Sequence, residues 1–162
     1  MITPTAEPDR HVSLGVWPTP VEQAPRLAAA IGLGIDDLWV KRDDLTGLGG
    51  GGNKVRKLEW TVGGAVADGA DTLITTGAPQ SNHARLTAAA GARLGLEVIL
   101  VFPGSHGSAG SGNLALDGLL GARVAWVGDV DETGLAQAAA DIAARLKAHG
   151  SVRRSYRSAA PT

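Results

Sequence analysis

With 162 residues, 44% of them hydrophobic and 19% charged, the chain has the composition of a globular protein and room for one domain with a sizeable core. Its formal net charge of −1 provides no basic surface for nucleic acid or for an anionic membrane. It has no cysteine, and its four histidines lack ligand spacing, which argues against disulfides and metal sites. We therefore expect no nucleic-acid, membrane or metal partner.

The first 45 residues predict an irregular N-terminal arm. Prolines fix an extended segment at 17–21, and a short helix at Pro25–Ile31 and a short strand at 38–41 follow. The N-terminus lacks the apolar core of a signal peptide, and no apolar run is long enough to cross a membrane, so we expect a cytoplasmic protein. The charged run Arg42-Asp43-Asp44 is interpreted as a solvated loop or, alternatively, as charges that fix the next loop in place.

A glycine-rich turn leads into a helix. Gly49–Gly52 are consecutive glycines, which allow positive φ and a close approach to a ligand. Asn53 is a favoured N-cap, and apolar residues then recur at helical spacing to about Asp68. Lys54 lies in the first turn, where the helix dipole and neighbouring basic residues favour a neutral, nucleophilic amine. This suits a Schiff-base lysine, although a lysine in a first helical turn is more often only a solvated surface charge.

Helices and strands alternate through the rest of the predicted domain, 46–150. Strands that alternate with helices indicate a parallel sheet with right-handed crossovers. We predict an α/β fold, an open three-layer α/β/α sandwich with a mainly parallel, Rossmann-like sheet. The predicted helices are 53–68, 84–94, 113–120 and 133–149, and the predicted strands are 72–75, 97–102 and 123–127.

The loop at 77–83 has the composition of a ligand-binding loop. Ligands of such sheets bind beyond the carboxyl ends of the strands. The loop delivers Ser81 and Asn82 to a helix start, where free N–H groups attract a carboxylate or a phosphate. Alternatively, one of the two residues is simply the N-cap of that helix. Ser81 and His83 do not face each other there, which argues against a hydrolytic nucleophile and its base.

The chain contains four specific motifs in order: V-K-R-D-D-L-T-G at 40–47, G-G-N-K-V-R-K-L-E at 51–59, D-T-L-I-T-T-G at 71–77 and Q-S-N-H at 80–83. Taken together, they resemble one enzyme family, that of D-cysteine desulfhydrase and 1-aminocyclopropane-1-carboxylate deaminase. The resemblance covers about residues 17–150. It implies roughly half of a fold-type II enzyme, the type of the tryptophan synthase β subunit, with pyridoxal 5'-phosphate as cofactor.

The resemblance also implies roles for individual residues. Lys54 corresponds to the Schiff-base lysine and catalytic base, and Asn82 to the residue that hydrogen-bonds the ring hydroxyl of the cofactor. Ser81 is similar to the catalytic residue that cradles the substrate carboxylate. Lys57 shares a helix face with Lys54 and is expected at the phosphate. His83 is more similar to the desulfhydrase branch than to the deaminase branch, which tends to carry Gln there. The implied cofactor-binding residues are Lys54, Asn82, Lys57 and Asn53, and the implied substrate-binding residues are Ser81, Asn82 and His83.

The implied reaction is β-elimination from a small amino acid, which for D-cysteine gives pyruvate, ammonia and sulfide. Deamination of 1-aminocyclopropane-1-carboxylate and release of sulfite from cysteate are the alternatives within the family. An inactive fragment, or a module that binds a small anion at the Ser81–Asn82 helix start, is the alternative of a different class. A full-length relative is expected to be a homodimer.

The chain departs from the family in its length and its last residues. The family's chains are roughly twice as long, and their second half supplies the phosphate cup and the partner of the ring nitrogen. Residues 151–162 contain three arginines and no apolar period. We expect this tail to be disordered and outside the fold, as after a truncation or a shifted reading frame near Gly150.

Overall fold

The computed structural model describes residues 10–105 and 111–149, together with the backbone of 155–158. The predicted alternation of helices and strands is present, with bounds that differ by one or two residues from those expected. The elements are, in order, β1 (Val21–Gln23), α1 (Pro25–Ala30), β2 (Trp39–Lys41), the 3-10 helices Asp43–Thr46 and Leu48–Gly50, α2 (Lys54–Ala67), β3 (Thr72–Thr76), α3 (Asn82–Leu94), β4 (Glu97–Phe102), α4 (Gly112–Leu119), β5 (Arg123–Trp126), α5 (Glu132–Ala148) and β6 (Ser155–Ser158).

The main sheet is parallel and has the strand order β5-β4-β3-β6. Thr72 of β3 lies opposite Glu97 of β4, and Ile99 of β4 lies opposite Arg123 of β5. Every residue of β3 is buried, and so are all residues of β4 after Glu97. Burial on both faces explains why these strands read as continuous apolar runs.

Helices cover both faces of this sheet. On one face, alternate strand residues such as Leu73 and Leu100 pack against α2 and α3. On the other face, Ile74, Ile99 and Val101 pack against α5. The three layers and the parallel sheet confirm the predicted α/β class. No helix of the described segments combines the length and the apolar character needed to cross a bilayer.

Part of the C-terminal tail joins the sheet, so the prediction that the whole of 151–162 lies outside the fold is wrong. The backbone of Ser155–Ser158 pairs in parallel with β3, from Thr72 opposite Ser155 to Thr75 opposite Ser158. A strand edge is satisfied by the backbone of any extended segment, so this pairing requires no apolar period. Residues 150–154 and 159–162 lie outside the described residues.

The N-terminal region forms a small lobe beside the main sheet. In this lobe β1 and β2 pair antiparallel, with Glu22 opposite Val40. Both strands are exposed along their length, and Ala28 is the buried residue of α1. The lobe therefore contributes little to the core.

Candidate active site

The turn before Lys54 is a tight loop that requires glycine. Gly49, Gly50, Gly51 and Gly52 have φ values of 52°, 88°, 80° and 138°, all in the region that L residues avoid. At Gly51 a Cβ would also overlap the carbonyl oxygen of Asp44. The four glycines therefore allow the backbone to pass close to Asp44 immediately before α2.

Two interactions close this turn onto the preceding 3-10 helix. The main-chain N–H of Gly52 donates to the carbonyl of Asp43 at 2.9 Å. The same N–H lies 3.1 Å from the buried hydroxyl of Thr46. Lys54 follows as the first residue of α2 and is half-buried. Its amine makes no hydrogen bond or ion pair within the part of the chain that the structure describes.

Asn53 does not cap α2 with its side chain, contrary to the sequence prediction. Its φ and ψ of −63° and −21° are already helical, and its side chain makes no capping hydrogen bond. Instead, main-chain carbonyls accept hydrogen bonds from the first N–H groups of the helix. Val55 N–H donates to the carbonyl of Gly52 at 3.2 Å, and Arg56 N–H donates to the carbonyl of Asn53 at 3.2 Å. The glycine turn leads so directly into the helix that Asn53 lacks the extended conformation a capping side chain needs. Its assignment to the cofactor stays a prediction.

One charge of the run at 42–44, that of Asp43, links α2 to the segment before the glycine turn, which agrees in part with the alternative interpretation of that run. Arg42 pairs instead with Asp44 and Glu22. Both carboxylate oxygens of Asp43 accept from the guanidinium of Arg56, each at 2.7 Å. Thr19 Oγ1 donates to the same carboxylate at 2.8 Å. The hydrogen bonds from Arg56 lower the pKa of Asp43 to about 2. Asp43 thus ties α2 to the turn that precedes it.

Ser81 is the N-cap of α3. Its φ and ψ are extended, and its Oγ accepts from the N–H of Ala84 at 3.3 Å. The simpler interpretation, a helix cap, therefore holds for Ser81. Because the hydroxyl is used only as an acceptor in this bond, its own hydrogen can still be donated to an anion at the helix start.

Arg85 joins the two predicted ligand loops. Its Nη2 donates to the carbonyl of Gly51 at 3.2 Å and to Oδ1 of Asn82 at 3.3 Å. The glycine turn and the start of α3 therefore lie side by side, as expected for loops at the carboxyl edge of a parallel sheet. Sequence reasoning did not single out Arg85, although its position three residues after Asn82 places both on one helix face.

His83 lies in the interior between these loops and α2. It is 4% exposed, and neither ring nitrogen has a hydrogen-bond partner among the described residues. Burial, followed by the nearby ammonium groups of Lys57 and Lys54, lowers the pKa of His83. The imidazole is therefore neutral near pH 7 and lies close to both lysines.

These groups fit a ligand that carries an aldehyde and a phosphate. Lys54 offers a primary amine, Lys57 a second cation and Asn82 an amide, while the ring of His83 has two unused nitrogens. A buried polar group without a partner costs about 1–3 kcal/mol, which a polar ligand group at this position would recover. Among the residues that the structure describes, no group of three or more His, Cys, Asp or Glu side chains could hold a metal ion.

Comparison with known proteins agrees with this arrangement. The family model described as "Pyridoxal-phosphate dependent enzyme" matches residues 12–157, and so extends into the C-terminal tail. A protein of Pyrococcus horikoshii, provisionally named a 1-aminocyclopropane-1-carboxylate deaminase, is 44% identical over 140 residues, which are 86% of this chain and 42% of that protein. The D-cysteine desulfhydrase of Salmonella paratyphi B is 50% identical over 91 residues, covering 56% of this chain and 27% of that one.

A solved structure shows the same fold. The crystal structure of an ACC deaminase homologue superposes with a TM-score of 0.81 at 42% identity, over 92% of this chain and 44% of that one. The chain thus spans less than half the length of these relatives. Since the family model covers nearly all of the chain, and the chain shares its fold with a close relative, this protein belongs to the family of pyridoxal-phosphate-dependent enzymes.

Proposed function

We propose that this chain forms the lysine-bearing part of a lyase that carries out β-elimination on a small amino acid, with D-cysteine as the first candidate substrate. The observation that carries the proposal is the position of Lys54. Lys54 is the first residue of α2 and directly follows the glycine turn, with Lys57 and the buried ring of His83 nearby. Relatives named for D-cysteine desulfhydration and for deamination of 1-aminocyclopropane-1-carboxylate support the reaction class.

Pyridoxal phosphate, when bound, supplies an electron sink that stabilises negative charge on the Cα of the substrate. Lys54 would hold it through its amine and, when free, is the group placed to accept the Cα proton. Lys57 would balance charge on the phosphate. The hydroxyl of Ser81 and the first N–H groups of α3 would bind the substrate carboxylate. A neutral His83 adds no further positive charge beside the two lysines.

The choice between substrates depends on His83. This residue is similar to the desulfhydrase branch, and its buried side chain is one residue away from Asn82, the proposed cofactor contact. We therefore propose D-cysteine ahead of 1-aminocyclopropane-1-carboxylate and cysteate. The relatives extend beyond the part that this chain matches. Residues corresponding to that further part would be needed to complete the phosphate site. For the isolated chain, the competing proposal is a small-anion-binding module at the helix start formed by Ser81 and Asn82.

The experiment is to trap the bound cofactor and locate it. Purified protein is mixed with pyridoxal phosphate, reduced with borohydride and digested, and the modified lysine is identified by mass spectrometry. We expect label on Lys54, and its loss in Lys54→Ala with the fold intact, because a first-turn lysine contributes little stability. Lys147→Ala, at the far end of α5, is the matched control and should keep the label. Label spread over all lysines, or none at all, would refute the proposal.

Turnover then separates the substrates. Unreduced protein loaded with pyridoxal phosphate is expected to release pyruvate and sulfide from D-cysteine, and Lys54→Ala should lower the rate by a factor of about 10² to 10⁴, the usual contribution of a general base. Ammonia released from 1-aminocyclopropane-1-carboxylate, with no sulfide from D-cysteine, would favour the deaminase instead.

A further inference from the structure

Side-chain amides join the start of α4 to the start of α3. Gln80 Oε1 accepts from the main-chain N–H of Asn113 at 2.9 Å, and Gln80 Nε2 donates to the carbonyl of Ser111 at 3.2 Å. Asn113 Nδ2 donates to the carbonyl of Gln80 at 2.6 Å and to Oδ1 of Asn82 at 3.0 Å. Asn82 is therefore held from a helix distant in sequence.

The orientation of each amide is fixed by a partner that can only donate or only accept. A guanidinium has no acceptor, so the atom of Asn82 that contacts Arg85 Nη2 is an oxygen. A main-chain carbonyl has no donor, so the atom of Asn113 that contacts the carbonyl of Gln80 is a nitrogen. Arg85 and the carbonyl of Gln80, two separate partners, impose the same polarity on the contact between Asn82 and Asn113. The usual ambiguity between amide oxygen and nitrogen is thereby removed.

The oxygen of Asn82 is thus used twice, by Arg85 and by Asn113. Its NH2 group has no hydrogen-bond partner among the residues that the structure describes, and the side chain is exposed. In this arrangement Asn82 can only donate to a ligand.

We propose that Asn113 and Arg85 are positioning residues that fix the amide of Asn82, so that it presents a hydrogen-bond donor to an acceptor oxygen of the ligand. The geometry stands on its own, but its consequence for pyridoxal phosphate rests on the function proposed above. For that cofactor, the acceptor would be the oxygen on the ring, as the family resemblance implies for Asn82. Because Arg85 also binds the carbonyl of Gly51, it sets this amide relative to the turn that precedes Lys54.

The orientation is tested without cofactor, by solvent exchange of the side-chain NH2 groups in ¹⁵N-labelled protein. The two resonances are assigned by their loss in Asn82→Asp and Asn113→Asp. We expect the NH2 group of Asn113, which donates twice, to exchange about tenfold more slowly than that of Asn82, which donates to no residue. Equal rates, or a protected Asn82, would overturn the assignment.

The consequence is tested with Asn113→Asp, which replaces the donor by an acceptor of the same shape facing the oxygen of Asn82. The variant should bind pyridoxal phosphate about tenfold more weakly and shift the absorption maximum of the bound cofactor. Gln137→Glu, the same amide-to-acid change on the exposed face of α5, is the control and should bind like the original chain. Unchanged affinity and spectrum in a folded Asn113→Asp would overturn the positioning role. If the original chain binds no cofactor at all, the proposed function fails, and the exchange experiment still decides the orientation.

Discussion

At the level of single residues, the unusual feature is a set of buried polar atoms without partners on α3 and α4. Among the described residues these are both ring nitrogens of His83, Nε of Arg85 and both carboxylate oxygens of Asp117. Native interiors leave few such atoms unpaired, because each costs free energy. Burial raises the pKa of Asp117 to about 6, although the charge of Arg85 acts in the opposite direction. Asp117 is therefore a site where folding and proton binding are coupled.

Asp117 makes the stability of the protein depend on pH. The pKa of Asp117 in the folded protein, about 6, lies above the ordinary value of 3.8, so the folded state binds more protons between these two values. The stabilising contribution is present below pH 3.8 and is lost as the pH rises to about 6, by a total of about 3 kcal/mol. Urea unfolding of Asp117→Asn at a series of pH values should lack this decline.

The control for this measurement is Asp129→Asn, which changes an exposed aspartate after β5. This variant should keep the decline in unfolding free energy that the original chain shows over the same pH range. Parallel curves for Asp117→Asn and the original chain would show that Asp117 titrates normally in the folded protein.

At the level of elements, the glycine turn is constrained both by its backbone conformation and by its neighbours. Gly51 and Gly69 have positive φ values of 80° and 76°, but a Cβ would overlap the Asp44 carbonyl at Gly51 and meet nothing within 4 Å at Gly69. Gly69→Ala should therefore cost only the positive-φ conformation, about 1–2 kcal/mol. Gly51→Ala should cost clearly more, because a ψ of 170° at this φ is reached essentially by glycine alone and the turn before Lys54 also has to move. Chemical denaturation of both variants measures the difference, and equal losses would mean that the turn adapts freely.

One buried carboxylate of α2 accepts several hydrogen bonds from the N-terminal segment, which also contacts α2 through Arg10 and the main chain of Val12. Glu59 Oε1 accepts from Leu14 N–H at 2.9 Å, Gly15 N–H at 3.0 Å and Trp17 Nε1 at 2.7 Å. Burial acts to raise the pKa of Glu59, but the hydrogen bonds from Trp17, Gly15 and Leu14 outweigh it and the pKa is lowered. The carboxylate is therefore the form that holds this segment.

Glu59→Gln should destabilise the protein by about 1–3 kcal/mol, because hydrogen bonds to a neutral amide are weaker than those to a charged carboxylate. Glu97→Gln is the matched control. Its carboxylate pairs with Arg123 at the surface, where both side chains are 61% exposed, so its loss should stay below about 1 kcal/mol. Thermal or urea unfolding of the two variants gives the comparison. A loss for Glu59→Gln no larger than the control would remove Glu59 as the attachment point.

Elements could be predicted from the sequence where a local pattern specifies them, but not where a residue distant in sequence determines the conformation. The apolar run of β4 and the glycines that follow α3 and α4, Gly95 and Gly121, are local patterns, and those elements lie where expected. Asparagine favours the N-cap position, so the residue type of Asn53 predicts a cap for α2. The glycine turn instead imposes a helical conformation on Asn53. The polarity of Asn82 depends on Asn113, and no spacing rule relates residues on helices so far apart in sequence.

At the level of the whole molecule, the described chain has two parts with very different burial. The central strands β3 and β4 are buried on both faces. The lobe made of β1, α1 and β2 contributes Ala28 to the buried set, and its large apolar side chains are exposed. The exposed ones include Leu27, Ile31, Ile35 and Trp39, with exposures of 52%, 58%, 63% and 55%. Local stability follows buried apolar contact, so the two parts should open at different free energies.

Hydrogen exchange of the main-chain amides tests this difference. The lobe's amides include Ala24, which donates to Leu38, and Arg42, which donates to Pro20. They should exchange at least about a hundredfold faster than those of β3 and β4, which become accessible only when most of the molecule opens. The measurement is repeated at two protein concentrations, because exposed apolar side chains can be covered by a second copy of the chain. Protection of the lobe that increases with concentration would reveal such an association. Protection equal to that of β3 at the lower concentration would contradict the division into a stable core and a weakly held lobe.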